Sequence, residues 1–110
     1  MDSLHTIQTY TLDIYSGGSN AKGYEYRAII GLYDPNDHLI GGIYFHRDAT
    51  TLPEQDLREA SGYVWCHVLW SEYPAIIDML RNEAPVFLRY VDSWAMASLT
   101  TSLEPVGEQE

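Results

Sequence analysis

The stretch Ser71–Asp92, SEYPAIIDMLRNEAPVFLRYVD, constrains the fold more than any other part of the chain. Ser71 is placed to cap a helix, Glu72 suits the positive end of its dipole, and Pro74 sits in the first turn, where a missing N–H costs nothing. Tyr73, Ile76, Ile77 and Leu80 recur at i, i+3, i+4 and i+7, with Met79 at the margin, while Asp78, Arg81 and Asn82 fall on the polar side. Pro85 disfavours helix at Ala84, so the helix should stop near Glu83 and lead into a strand, Val86–Val91. An apolar stripe of this kind must be buried against another layer. No other stretch reads clearly as a helix, so that layer should be a sheet.

The rest of the chain supplies strands. In His5–Tyr15, Tyr10, Leu12 and Ile14 alternate with Thr9, Thr11 and Asp13, the pattern of one half-buried strand. Ser16–Gly23, with three glycines, reads as a flexible connector. Tyr24–Tyr33 is a second strand, with Tyr26, Ala28, Ile30 and Leu32 on one face and Glu25, Arg27, Ile29 and Tyr33 on the other. Asp34-Pro35-Asn36-Asp37 is a turn, and His38–His46 returns as a third strand in which Gly41-Gly42 should mark a bulge or bend. Arg47–Gly62 is polar and long, a surface excursion with a helical turn that Thr51 would cap. Tyr63–Trp70 is a fourth strand. Val64, Cys66, Val68 and Trp70 oppose Tyr63, Trp65, His67 and Leu69, so both faces carry large apolar groups. Trp94–Thr101 reads as a sixth strand, although its alanines also suit a helix.

These readings give an α+β fold. A mostly antiparallel curved sheet of about six strands, in the order β-β-β-β-α-β-β, carries one main helix on one face. Residues 1–110 should form a single domain, with 103–110 a loose acidic tail. One helix cannot cover a sheet of that width. Either the sheet curls, or a second copy covers it; the two-faced fourth strand and the surplus of Tyr and Trp favour a homodimer.

Composition narrows the function classes. Sixteen acids against six bases give a formal charge of −10, and the six bases are scattered singly. Duplex nucleic acid and anionic membranes are held through runs of Lys and Arg, so both are disfavoured as partners, whereas a basic protein is an electrostatically natural one. The single cysteine, Cys66, excludes an internal disulfide and the Cys-rich zinc frameworks. Neither a leader pattern nor a spanning apolar run is visible, which places the expected location in the cytoplasm.

Candidate chemistry is sparse. His5, His38, His46 and His67 match no metal signature, and no metal or cofactor is assigned. His46 and His67, joined by Asp48, would make a two-histidine, one-carboxylate set only if their strands are neighbours; a strand-end histidine and a half-buried sheet histidine is the favoured reading. Cys66 and His67 are adjacent in a strand and point to opposite faces, so no thiol–base pair is expected, and no catalytic residue is assigned. Asp34 and Asp37 are explained by the turn; Glu54, Asp56 and Glu59 read as a solvated loop. Tyr24, Tyr26, Tyr44, Tyr63, Trp65 and Tyr90 form an aromatic set able to stack bases or sugars. Four strands followed by a helix is an order similar to the unit of Whirly-type single-strand-binding proteins, which would imply single-stranded nucleic-acid binding through such aromatics.

The leading expectation is a non-catalytic, homodimeric protein-binding module, with Tyr63, Trp65 and Leu69 at the interface. A basic partner would meet Asp48, Glu54, Asp56 and Glu59. The alternative is a ligand-binding protein or enzyme with a pocket between the sheet and the 47–62 loop, using Arg27, His46, His67 and Arg89.

Overall fold

A computed structural model describes residues 2–16, 25–102 and 106. Apart from Ser16, the glycine-rich connector lies outside the described residues, as does most of the acidic tail. The described chain forms β1 (Ser3–Ile7), β2 (Thr9–Ile14), β3 (Tyr26–Tyr33), β4 (Leu39–His46), β5 (Leu57–Arg58), β6 (Val64–Leu69), helix α1 (Tyr73–Asn82), β7 (Val86–Val91) and β8 (Met96–Thr101). They make an α+β fold of two sheets, a five-stranded one in the order β2-β3-β4-β6-β5 and a three-stranded one in the order β1-β7-β8. No helix is long and apolar enough to cross a membrane among the described residues.

The expected first strand is two strands. β1 pairs antiparallel with β7, β2 pairs antiparallel with β3, and the chain changes sheets at Gln8, whose N–H donates to the Tyr33 carbonyl at 2.7 Å. The inward residues are odd-numbered before that point, His5 and Ile7, and even-numbered after it, Tyr10 and Leu12. A continuous strand cannot change phase in this way.

This switch answers how one short helix can bury so wide a sheet. The inner face of the five-stranded sheet, Ala28, Ile30, Leu32, Ile43, Phe45, Val64 and Cys66, is covered by two things. At one end lies the helical segment, with Tyr73, Ile76, Ile77 and Leu80 on its apolar stripe and Trp70 in a preceding 3-10 turn (Trp70–Glu72). The Phe45 ring meets Trp70 and Tyr73 edge-on, at 5.9 and 5.4 Å between centroids. At the other end the three-stranded sheet brings Leu88, Tyr90 and Ala97 against the same face. The Ser71 side chain caps nothing; the 3-10 turn leads straight into α1, whose first residues include Pro74.

Three local expectations change. β3 and β4 stay paired through Gly41-Gly42; one register shift falls beside them, with an extra residue at Ile40, and the other at the far end of the ladder, with an extra residue at Arg27. The Arg27 bulge turns Tyr26 to the face opposite Ala28, because one inserted residue reverses the alternation. The glycines serve close approach instead. A Cβ on Gly41 would lie 2.7 Å from Leu88 Cδ2 and 2.7 Å from the Val64 carbonyl oxygen. Residues 94–101 are a 3-10 turn (Asp92–Trp94), a left-handed Ala95 (φ 48°) and the strand β8.

The polar excursion is a crossover. β4 and β6 run parallel, and β5, inside the connection, pairs on the far side of β6. Its helical turn (Ala49–Thr51) is capped by Asp48, which accepts from the Thr50 N–H at 2.9 Å, so the cap is not Thr51. Asp56 is not solvated. Its Oδ1 accepts from the His67 N–H and its Oδ2 from the Ala97 N–H, each at 2.8 Å, while its own N–H donates to the Ala95 carbonyl at 2.9 Å. One carboxylate thus bolts β6 of one sheet to the start of β8 in the other. Six strands precede α1 and two neighbours are parallel, which departs from the Whirly-type order of elements.

Candidate functional site

The outer face of the five-stranded sheet collects the residues that packing of the core does not use. Cross-strand partners share a face, so the registers place Tyr26, Ile29, Gly31 and Tyr33 of β3 on this side, together with Gly42, Tyr44 and His46 of β4, Trp65, His67 and Leu69 of β6, and Leu57 of β5. Gly42 sits opposite Trp65 and leaves room for a pair of phenols: the Tyr44 and Tyr63 hydroxyls are 2.6 Å apart, and a Cβ on Gly42 would be 2.5 Å from the Tyr63 oxygen. Burial raises the Tyr63 pKa, and its hydrogen bond with Tyr44 opposes that rise. The Tyr44 ring stacks on Trp65 at 4.6 Å, and Trp65 stacks on His67 at 6.2 Å. Trp65 donates its indole N–H to Glu59 at 2.6 Å.

His46 and His67 do meet. Their strands are parallel neighbours offset so that Tyr44 faces His67, and the rings touch along a diagonal with His46 Nε2 2.9 Å from His67 Nδ1. His46 Nδ1 is 2.9 Å from the Thr51 hydroxyl, and Tyr26 packs edge-on against the His46 ring at 4.9 Å. Asp48 does not join them, because its carboxylate is spent on Thr50. Among the described residues no group of three or more His, Cys, Asp or Glu is placed to hold a metal ion.

A chain of hydroxyl, imidazole and imidazole has the connectivity of a nucleophile with its base and orienting group. His46, however, has 0 % exposure, so the central ring is sealed from any substrate. Three clefts on the surface are lined by other residues and take in neither histidine. The pair is a hydrogen bond between two rings whose burial favours the neutral form.

Burial lowers both pKa values. The His67 ring is the next cause for His46, whereas Asp56 and then Glu25 oppose the shift at His67. Depressed histidines bind fewer protons folded than unfolded, so their contribution is present above the ordinary value near ~6.5 and is lost as pH falls below it. The urea midpoint should drop on acidification from about pH 7.5 to about pH 5.5, and His67→Gln should flatten that drop. An identical drop in the variant would remove the pair from the cause.

The other two proposed pocket cations are elsewhere. The bulge directs Arg27 to the Tyr15 carbonyl, with its guanidinium 5.2 Å from the centre of the Trp70 ring. Arg89 is exposed on the three-stranded sheet, 5.9 Å from the Trp94 ring. The four residues Arg27, His46, His67 and Arg89 thus make no common pocket. The aromatic set divides too: Tyr26, Tyr44, Tyr63 and Trp65 gather, Tyr90 is buried in the core, and Tyr24 lies outside the described residues. Cys66 is a core residue, its thiol pushed up to about 12 by burial and, secondarily, by Asp56. Of the expected interface residues, Trp65 and Leu69 are half-buried on the outer face and Tyr63 adjoins it in the turn before β6.

From the sequence, Asp56, Thr51, Tyr44 and Tyr63 are each named for another role; the bond of Asp56 across the two sheets, that of Thr51 to His46 and that between the two phenols are missed there. Family models, curated proteins and solved structures were all compared with the chain, and none matches.

Proposed function

We propose that this chain is a non-catalytic binding domain that self-associates through the outer face of its five-stranded sheet. The observation that carries the reading is the aromatic, charge-poor make-up of that face. In a chain with 22 charged side chains (16 acids and 6 bases), the strand residues on this face include one acid, Asp13, on the edge strand β2. Around it are Trp65, Tyr26, Ile29, Leu69 and Leu57, the last 54 % exposed. Aromatic, charge-poor surface of this composition characterises interface cores. Two copies of an acidic chain repel each other, and a charge-poor face is where they approach at least cost.

A basic partner has weaker support. Of the four acids proposed to meet it, Asp48 caps a turn, Asp56 bolts the sheets and Glu59 holds the Trp65 indole. The single-strand alternative would need cations beside the stacked rings, whereas Arg27 and Arg47 turn to the carbonyls of Tyr15 and Ser16.

Sedimentation velocity tests the proposal. The wild-type chain should run as a dimer that tightens as salt rises, since salt screens like-charge repulsion. Leu57→Asp, an exposed site whose change leaves the core alone, should weaken the dimer by at least about tenfold while the monomer keeps its circular dichroism. Equal association by the variant would refute the assigned face.

A further inference from the structure

We infer that the mouth between the two sheets, at the β5 edge, is a carboxylate-binding site anchored by Arg58, and that its ligand is a small organic monoanion with an apolar body. A cleft of about 610 Å³ opens there, lined by His5 of β1, Asp34 and Ile40 of the β3–β4 hairpin, and Arg58, Glu59 and Tyr63 of the β5–β6 hairpin. Its size falls in the range of small-molecule sites.

Arg58 is the reason to assign a ligand. Among the described residues its guanidinium has no hydrogen-bond or ion-pair partner, and its Nε is buried with none. The other described arginines are engaged: Arg27 and Arg47 with carbonyls, Arg81 with Tyr10, and Arg89 with the Trp94 ring. Among the described residues Arg58 pairs with no carboxylate, although two acids line the same cleft. Those two are held by other bonds. Asp34 accepts from the Asn36 and His38 N–H groups, each at 2.9 Å, and Glu59 accepts from the Trp65 indole at 2.6 Å.

The two Nη groups of the same guanidinium can hold a carboxylate through parallel, charge-assisted hydrogen bonds. The anchor is also held in place. The β5–β6 turn is closed by the Glu59 N–H to the Tyr63 carbonyl and by the Gly62 N–H to the Glu59 carbonyl, both 2.8 Å, with Gly62 at φ +99° beside Arg58 Nη2. The two neighbouring carboxylates repel a dianion more strongly than a monoanion, which selects a carboxylate over phosphate. Ile40 and Tyr63 provide the wall for an apolar body.

The test is a titration of the full chain, labelled with 15N, using phenylacetate, phenylacetamide and inorganic phosphate. Phenylacetate should give saturable shifts at the Arg58 Nε–H and at the Gly62 and Tyr63 amides, with a millimolar or tighter midpoint. Phenylacetamide should give none, and phosphate should bind at least about tenfold more weakly. Arg58→Gln should weaken phenylacetate by at least about tenfold, and Arg58→Lys, which keeps the charge and loses the fork, by less. The Arg58 side chain has no described bonds to break, so both variants should keep the wild-type amide spectrum. Shifts elsewhere, tighter phosphate, or no saturation by phenylacetate would overturn the assignment. None of these outcomes depends on self-association.

Discussion

Replacing Asp56 with Ala should cost about 3–5 kcal/mol and lower Tm by more than ~10 °C. The carboxylate accepts two backbone N–H groups, from His67 in one sheet and Ala97 in the other, each at 2.8 Å. A hydrogen bond to a charged acceptor contributes about 1.5–3 kcal/mol, and truncation also leaves two part-buried donors without a partner. The two bonds lie in different sheets, so their loss loosens the packing between layers as well as the local turn. Asp56→Asn keeps one carbonyl acceptor and should fall between wild type and Asp56→Ala. Urea unfolding of the three proteins at neutral pH gives the ranking. Full stability in Asp56→Ala would show that the bolt is dispensable.

Gly41→Ala should be the next most damaging change, by about 3 kcal/mol, the upper end for overpacking a core. The added methyl would meet Leu88 Cδ2 and the Val64 carbonyl oxygen, each at 2.7 Å. Leu88 belongs to the opposing sheet and has 0 % exposure, and the carbonyl belongs to the neighbouring strand of the same sheet. Neither side can retreat without opening a ladder or the interface between layers. Gly42→Ala meets the Tyr63 hydroxyl at 2.5 Å on the outer face, where a ring can move, and should cost less. Thermal unfolding of both variants separates the two glycines; equal losses would contradict this account of Gly41.

Much of the fold was legible because it is written in periodicity. The alternation at Tyr10 and Leu12 and the stripe Tyr73–Leu80 each identified a buried side, although Ile14, read on the same side, is 53 % exposed; the alternation in Val64–Val68 and Val86–Tyr90 identified strands. What escaped was set by single residues. The change of phase at Gln8 is a one-residue event, and reading through it fused two strands and concealed the second sheet. The Arg27 bulge moved Tyr26 to the other face for the same reason. The parallel pairing of β4 and β6 depends on where a long connection returns, and no local pattern encodes that. Asp56 and Arg58 sit in that connection amid other charges, where their roles come from partners distant in sequence. The contact between His46 and His67 was conceivable from neighbouring strands, but the parallel offset decides it.

The self-association claim is met most directly by intermolecular nuclear Overhauser effects between labelled and unlabelled copies in one sample. The predicted result is a set of cross-copy contacts from the Leu57 and Leu69 methyls, the Trp65 indole and the Tyr26 ring, all on the outer face of the five-stranded sheet. Absence of cross-copy contacts at high concentration, or contacts from Leu4, Phe87 and Met96 on the outer face of the three-stranded sheet, would contradict it.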